Sequence, residues 1–172
     1  MILISEIAIW VAFVISSYFL IFWLLVLLDE DPHAYTIRKK LRRYPLVSVI
    51  IPAYNEEDTI IDTLKSVIGL DFPKKKLEIF VVNDGSTDNT KKVVEEFISK
   101  NTHYAIKQIS QQNKGKGAAL NVGLKQCKGE FFACLDADSI VKSNSLKKLL
   151  PYFDEGEHVS TVLPLMKLRD TG

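Results

Sequence analysis

Little in this 172-residue chain can build a covalent or metal-templated scaffold. It has two cysteines, Cys127 and Cys134, with no C-x-x-C pair and no adjoining histidine pair. That spacing excludes a zinc finger or a dithiol redox motif, and two buried, reduced thiols are predicted instead. Three histidines, His33, His103 and His158, are scattered and form no metal cluster. Basic and acidic residues nearly cancel, 22 against 21, so no broad basic face points to nucleic acid. Internal repeats and low-complexity tracts are also missing. Two phosphate-binding patterns are absent as well: the P-loop G-x-x-x-x-G-K-[ST] and, after the first apolar strand, G-x-G-x-x-G. Where the second would fall stand Glu56 and Glu57, which repel a pyrophosphate. A nicotinamide-dependent oxidoreductase is thereby disfavoured.

One long stretch lacks charge altogether. Residues 7–28 carry no charged side chain, and at 1.5 Å per residue they would span about 33 Å, enough for a hydrocarbon core of about 30 Å. Trp10 and Trp23 fall toward its ends, where amphipathic rings favour the headgroup level. A cleaved signal peptide would have a basic start and a small-residue cleavage site, but only Glu6 precedes this stretch. A core helix without a polar face is unusual in so small a domain. Residues 1–28 are therefore expected to be a transmembrane anchor in the cell membrane. Residues 29–45 form a basic juxtamembrane linker. Arg38, Lys39, Lys40, Arg42 and Arg43 crowd behind the anchor, which predicts a cytoplasmic location for the domain on their C-terminal side. They are also suited to anionic headgroups, and serve equally well as a topology signal with no further role.

From residue 46 to the end, apolar runs at strand and helix spacing alternate. Strands are predicted at 47–51, 77–82, 104–109, 130–135 and 159–163. Helices are predicted from the spacing of Ile60, Leu64 and Val67, of Val93, Val94 and Phe97, at 116–126, and at 145–153. The fold class implied is α/β, a doubly wound and mostly parallel sheet.

Ligands of such sheets bind beyond the carboxyl ends of the strands, and polar residues collect there. Pro52-Ala53-Tyr54-Asn55-Glu56-Glu57 follows the first strand, Asn83-Asp84-Gly85-Ser86-Thr87-Asp88 the second, and Asp136-Ala137-Asp138 the fourth. In extended chain, residues i and i+2 point the same way, so Asp136 and Asp138 can face one ligand. Two bare carboxylates repel, a conflict that a divalent cation removes. Mg2+ or Mn2+ takes one or two protein carboxylates and completes its octahedron with phosphate oxygens and water. Asn83-Asp84-Gly85-Ser86 also reads simply as turn chemistry, with Thr87 or Asp88 capping the next helix. Asn113-Lys114-Gly115-Lys116-Gly117 leads into a helix, and Lys114 or Lys116 is placed to steady a phosphate.

Taken in order, these four segments resemble the family 2 glycosyltransferases, whose catalytic domain has the GT-A fold, over about residues 46–165. The resemblance implies that Pro52, Tyr54 and Glu56 line a nucleotide pocket and that Asp84 hydrogen-bonds a uracil. It matches Lys114 and Gly117 to the stretch closing over nucleotide and phosphate. It puts Asp136 near ribose and diphosphate and makes Asp138 the principal metal ligand. With a leading membrane helix, the chain is similar to processive members that build polysaccharides, and lipid-linked sugar synthases are the nearest relatives to confuse with them. The implied reaction is metal-dependent, inverting transfer from a nucleoside-diphosphate sugar, UDP-linked by resemblance, to a polysaccharide or lipid-linked acceptor. The family's acceptor-side base and Gln-x-x-Arg-Trp motif have no counterpart before Gly172, so a truncated catalytic domain is expected. The alternative is a non-catalytic or split piece that binds donor and needs a partner.

Overall fold

The computed structural model describes residues 2–28, 41–154 and 161. Most of the 29–45 linker and the predicted strand at 159–163 lie outside the described residues. The chain divides into two units, residues 1–38 and 39–172.

The first unit contains helix α1, Ile2–Leu28. Its segment Glu6–Val26 is long and apolar enough to cross a membrane, and none of it is buried within the protein. Trp10, Phe13, Phe19 and Trp23 are all exposed, so the helix is apolar all round rather than amphipathic.

The second unit runs β1 (Val47–Ala53), α2 (Ile60–Ile68), β2 (Leu77–Asp84), α3 (Thr90–Lys100), β3 (Ala105–Gln111), α4 (Lys116–Leu124), β4 (Phe131–Cys134) and α5 (Ser145–Leu149). The strands form one sheet in the order β3-β2-β1-β4, all pairs parallel. β1 and β2 are apolar on both faces because helices cover both faces. Val49, Ile51, Ile79 and Val81 pack with Ile60, Leu64 and Val67 of α2 and Val94 of α3. On the other face, Ile50 and Val82 meet Ala119 of α4. That helix lies so close that a Cβ on Gly123 would stand 2.5 Å from Ile50 Cγ2. At the opposite end of the strands, buried Ser48 donates to Glu78 at 2.5 Å and accepts the Gly129 N–H at 2.9 Å, fixing the α4–β4 connection.

Several predicted elements shift for identifiable reasons. The helix expected at 145–153 is α-helical only to Leu149 and continues as a 3-10 turn over Leu150–Asp154. Pro151 lacks the N–H that an α-helix needs there. The prediction of two buried thiols is corrected: Cys127 is half-buried and Cys134 exposed, both unpaired in any disulfide. Cys134 lies on β4, an edge strand among the described residues, on the face where Phe132 is also exposed. Arg43, at the end of the basic linker, forms a two-pronged ion pair with Glu130.

Candidate functional site

The strand order turns back on itself at β1, whose neighbours are β2 on one side and β4 on the other. β1 and β4 pair only from Val47 to Ile50, and the Leu135 N–H still reaches the Ile50 carbonyl at 3.0 Å. Residue 52 therefore faces the same side as residue 50, where β4 has already ended. Pro52, with no N–H to offer, leaves no donor stranded at that point. The two strands part, and a cleft of about 210 Å³ opens between their ends. Its β1 side is lined by Pro52, Ala53, Tyr54 and Glu56, its β4 side by Asp136, Ala137 and Asp138, and Asp84 from the end of β2 and Lys116 from the start of α4 complete it.

Asp136 and Asp138 reach the cleft by a route other than the extended chain expected. Residues 136–139 form a turn, closed by the Ser139 N–H donating to the Asp136 carbonyl at 3.0 Å. Buried Ala137 is the turn's anchor, and its carbonyl accepts the Thr63 hydroxyl of α2 at 2.7 Å. Both flanking carboxylates are left exposed on the cleft. Asp136 already has a cation: Lys116 Nζ stands 2.6 Å from its Oδ1. Lys116 is the first residue of α4, entered through Gly115 at φ 86°, a left-handed backbone that suits glycine.

Asp84 is only 4% exposed, yet charged. Burial disfavours its ionised form, but the Gln111 amide at 2.6 Å and the Lys114 and Gly115 N–H groups at 2.9 and 2.8 Å outweigh that. Its carboxyl is held below the ordinary 3.8. Asp84 thus fastens the 111–115 loop to the end of β2. Gly85, at φ 73°, lets the loop approach, since a Cβ there would stand 2.7 Å from the Asn113 nitrogen. Glu56 is held from its own helix start, its carboxylate accepting the Thr59 hydroxyl at 2.6 Å.

Pro52, Tyr54, Glu56, Asp84, Asp136 and Asp138, all named from sequence, come together on this cleft. Lys114 and Gly117 do not line it; Lys114 contributes its backbone N–H to Asp84. Lys116 takes the place on the cleft, and the local choice between the two lysines is decided by where Gly115 ends the loop and α4 begins. Among the described residues no three His, Cys, Asp or Glu side chains could enclose a metal ion. Two exposed carboxylates on one turn fit a cation that draws its other ligands from phosphate and water, not a protein-only cage.

The sequence profile of the family described as Glycosyl transferase family 2 matches residues 48–169. The chain is 36% identical over 124 residues to the poly-beta-1,6-N-acetyl-D-glucosamine synthase of Staphylococcus epidermidis, covering 72% of this chain and 29% of that one. It is 39% identical over 122 residues to the poly(ribitol-phosphate) beta-N-acetylglucosaminyltransferase TarS of Staphylococcus aureus, covering 71% and 21%. The chain thus spans less than a third of the length of these relatives. Among solved structures it is similar to a mannosyltransferase of Pyrobaculum calidifontis in complex with GDP-Man and Mn2+, with TM-score 0.71 and 26% identity over 82% of this chain and 41% of that one. It is also similar to Staphylococcus aureus TarS in complex with UDP-GlcNAc, with TM-score 0.57 and 39% identity over 63% and 31%.

Proposed function

Because the chain belongs to glycosyl transferase family 2 and shares the parallel sheet of its GT-A neighbours, we propose that its cleft binds the nucleoside diphosphate of a sugar donor, UDP-linked, for inverting transfer to a carbohydrate or lipid-linked acceptor. The observation that carries this reading is the meeting of Asp136, Asp138 and Lys116 at the point where the strand order reverses. Carboxylates for a cation and an ammonium for phosphate stand side by side, as a metal-diphosphate requires. UDP-GlcNAc in the solved TarS complex and N-acetylglucosamine in the names of both relatives support a UDP-N-acetylhexosamine donor.

In this reading Tyr54, 47% exposed, offers a ring face for the base or ribose, with Glu56 beside it. Asp84 contributes to the base end of the cleft and, through residues 111–115, sets where Lys116 begins. Lys114 and Gly117 act by shaping that loop and helix start. Asp138, with Asp136, would hold Mg2+ or Mn2+, which when bound supplies the Lewis-acid neutralisation of the departing diphosphate. We further assign residues 1–28 as a membrane anchor, 29–45 as a linker and 46–172 as the donor-binding domain, facing the cytoplasm by the positive-inside rule.

The Lys116–Asp136 pair yields a test with opposite signs. Both side chains are at least half exposed, so the pair itself contributes only about 0.2–1 kcal/mol. In Lys116→Met, Asp136 is released, and Mn2+ alone should bind about 2- to 5-fold more tightly by Mn2+ electron spin resonance. UDP measured with Mn2+ should bind more weakly, because the ammonium for its phosphates is gone. Both affinities changing in the same direction would contradict the shared site.

A further inference from the structure

We infer that Asn55 is a positioning residue for the cleft, the pivot of a seam that fixes Tyr54 and Glu56 by binding their loop to the one after β2; this rests on the donor-site reading. The seam is reciprocal. Three successive N–H groups after β1, those of Asn55, Glu56 and Glu57, donate to Ser86 Oγ at 3.0 Å, Thr90 Oγ1 at 2.8 Å and Asp88 Oδ2 at 3.2 Å. In return, the Thr87 N–H donates to Asn55 Oδ1 at 2.8 Å and the Asn89 N–H to Glu57 Oε2 at 2.7 Å. With the Thr87 hydroxyl, which also donates to Asn55 Oδ1 at 3.3 Å, six bonds join residues 55–57 to residues 86–90, and each loop satisfies backbone donors of the other.

Asn55 is the point where this seam redirects the chain. Its φ of 55° makes it the only non-glycine residue with a left-handed backbone among those described. Asparagine tolerates that conformation better than most side chains. The turn separates the roles of three neighbours: Tyr54 and Glu56 line the cleft, whereas Asn55 does not and is committed to Thr87. Asn55 is exposed and outside the apolar core, so its contribution is to loop geometry rather than to packing. Asp88, at the far side of the seam, has its charge assigned as well. Burial disfavours it, but the Thr90 hydroxyl and N–H and the Glu57 N–H hold its carboxyl below 3.8. Ser86 Oγ, the Thr87 N–H and hydroxyl and one oxygen of Asp88 thus bond the β1 loop, while the other Asp88 oxygen holds Thr90 at the start of α3.

A loop that is competent for a fraction of the time weakens apparent affinity by that fraction. Asn55→Ala loses both the acceptor and the left-handed tolerance, Asn55→Gly loses the acceptor only, and Asn55→Asp keeps both an acceptor and a tolerant side chain. UDP binding with Mn2+ is measured by calorimetry on the full chain, together with thermal midpoint and amide exchange at Thr87. In Asn55→Ala, Thr87 exchange should quicken and UDP Kd rise about 5- to 10-fold with the thermal midpoint lowered by only a few degrees. Asn55→Gly should fall between, and Asn55→Asp should restore the wild-type Kd. Equal Kd in wild type and Asn55→Ala, or a midpoint that falls while Kd holds, would overturn the positioning role alone. Failure of the wild type to bind UDP would overturn the functional reading and this inference with it.

Discussion

Asp138→Ala is expected to lose the manganese-dependent part of UDP affinity, by about 100-fold or more, while the domain stays folded. Partners that merely orient metal ligands cost about 10- to 100-fold when removed, and a residue that is itself a ligand lies at or beyond that range. A 100-fold loss corresponds to about 2.7 kcal/mol. The fold should not notice the change, because the Asp138 side chain is exposed and its one hydrogen bond among the described residues comes from neighbouring Ser139 at 3.4 Å. The turn that carries it is anchored elsewhere, through the Ala137 carbonyl on Thr63 and the Val141 N–H on Ser66 of α2. Circular dichroism and the urea midpoint should match wild type, and calorimetry with manganese should show the loss. Unchanged UDP affinity would remove Asp138 from the site.

Asp84→Ala has the larger effect on the protein itself. Its carboxylate accepts three hydrogen bonds, and each bond to a charged acceptor contributes about 1.5–3 kcal/mol. Lys114 and Gly115 are exposed and can turn their N–H groups to water, so the sum is not lost in full. A destabilisation of about 2–3 kcal/mol is expected, a fall of about 1–2 M in urea midpoint. The sign with pH follows from the lowered carboxyl. The stabilisation is complete above the ordinary 3.8 and disappears as pH falls below it through the folded value. The gap between wild type and variant should therefore be constant near neutrality and close below pH 3.8. UDP affinity should also fall, since the released loop no longer fixes the start of α4 and Lys116 with it.

The sheet was legible because β1 and β2 are buried on both faces and carry the apolar runs Val49–Ile51 and Ile79–Val82, each followed by a helix with a clear apolar stripe. The acids at strand ends were legible for the same reason, since topology alone assigns them to one edge. Three features were hidden. The turn at 136–139 depends on Thr63 and Ser66, more than 70 residues away in sequence, so spacing alone suggested extended chain. The choice of Lys116 over Lys114 depends on the left-handed Gly115, which a run of alternating lysine and glycine does not reveal. The seam between residues 55–57 and 86–90 consists of bonds across loops, so Ser86 to Asp88 read only as a turn with a helix cap. Asp88 does bond the Thr90 N–H, so that local reading was half of its role.

The cleft between β1 and β4 is proposed to hold a uridine diphosphate together with a divalent cation. This reading is tested most directly by titrating the wild-type chain with UDP by calorimetry, once in Mn2+ and once in excess chelator, with NAD+ as a competitor. The expected result is saturable binding in Mn2+, at least tenfold weaker without it, and unaffected by NAD+. UDP binding that is absent in both conditions, or equal in both, would contradict the claim.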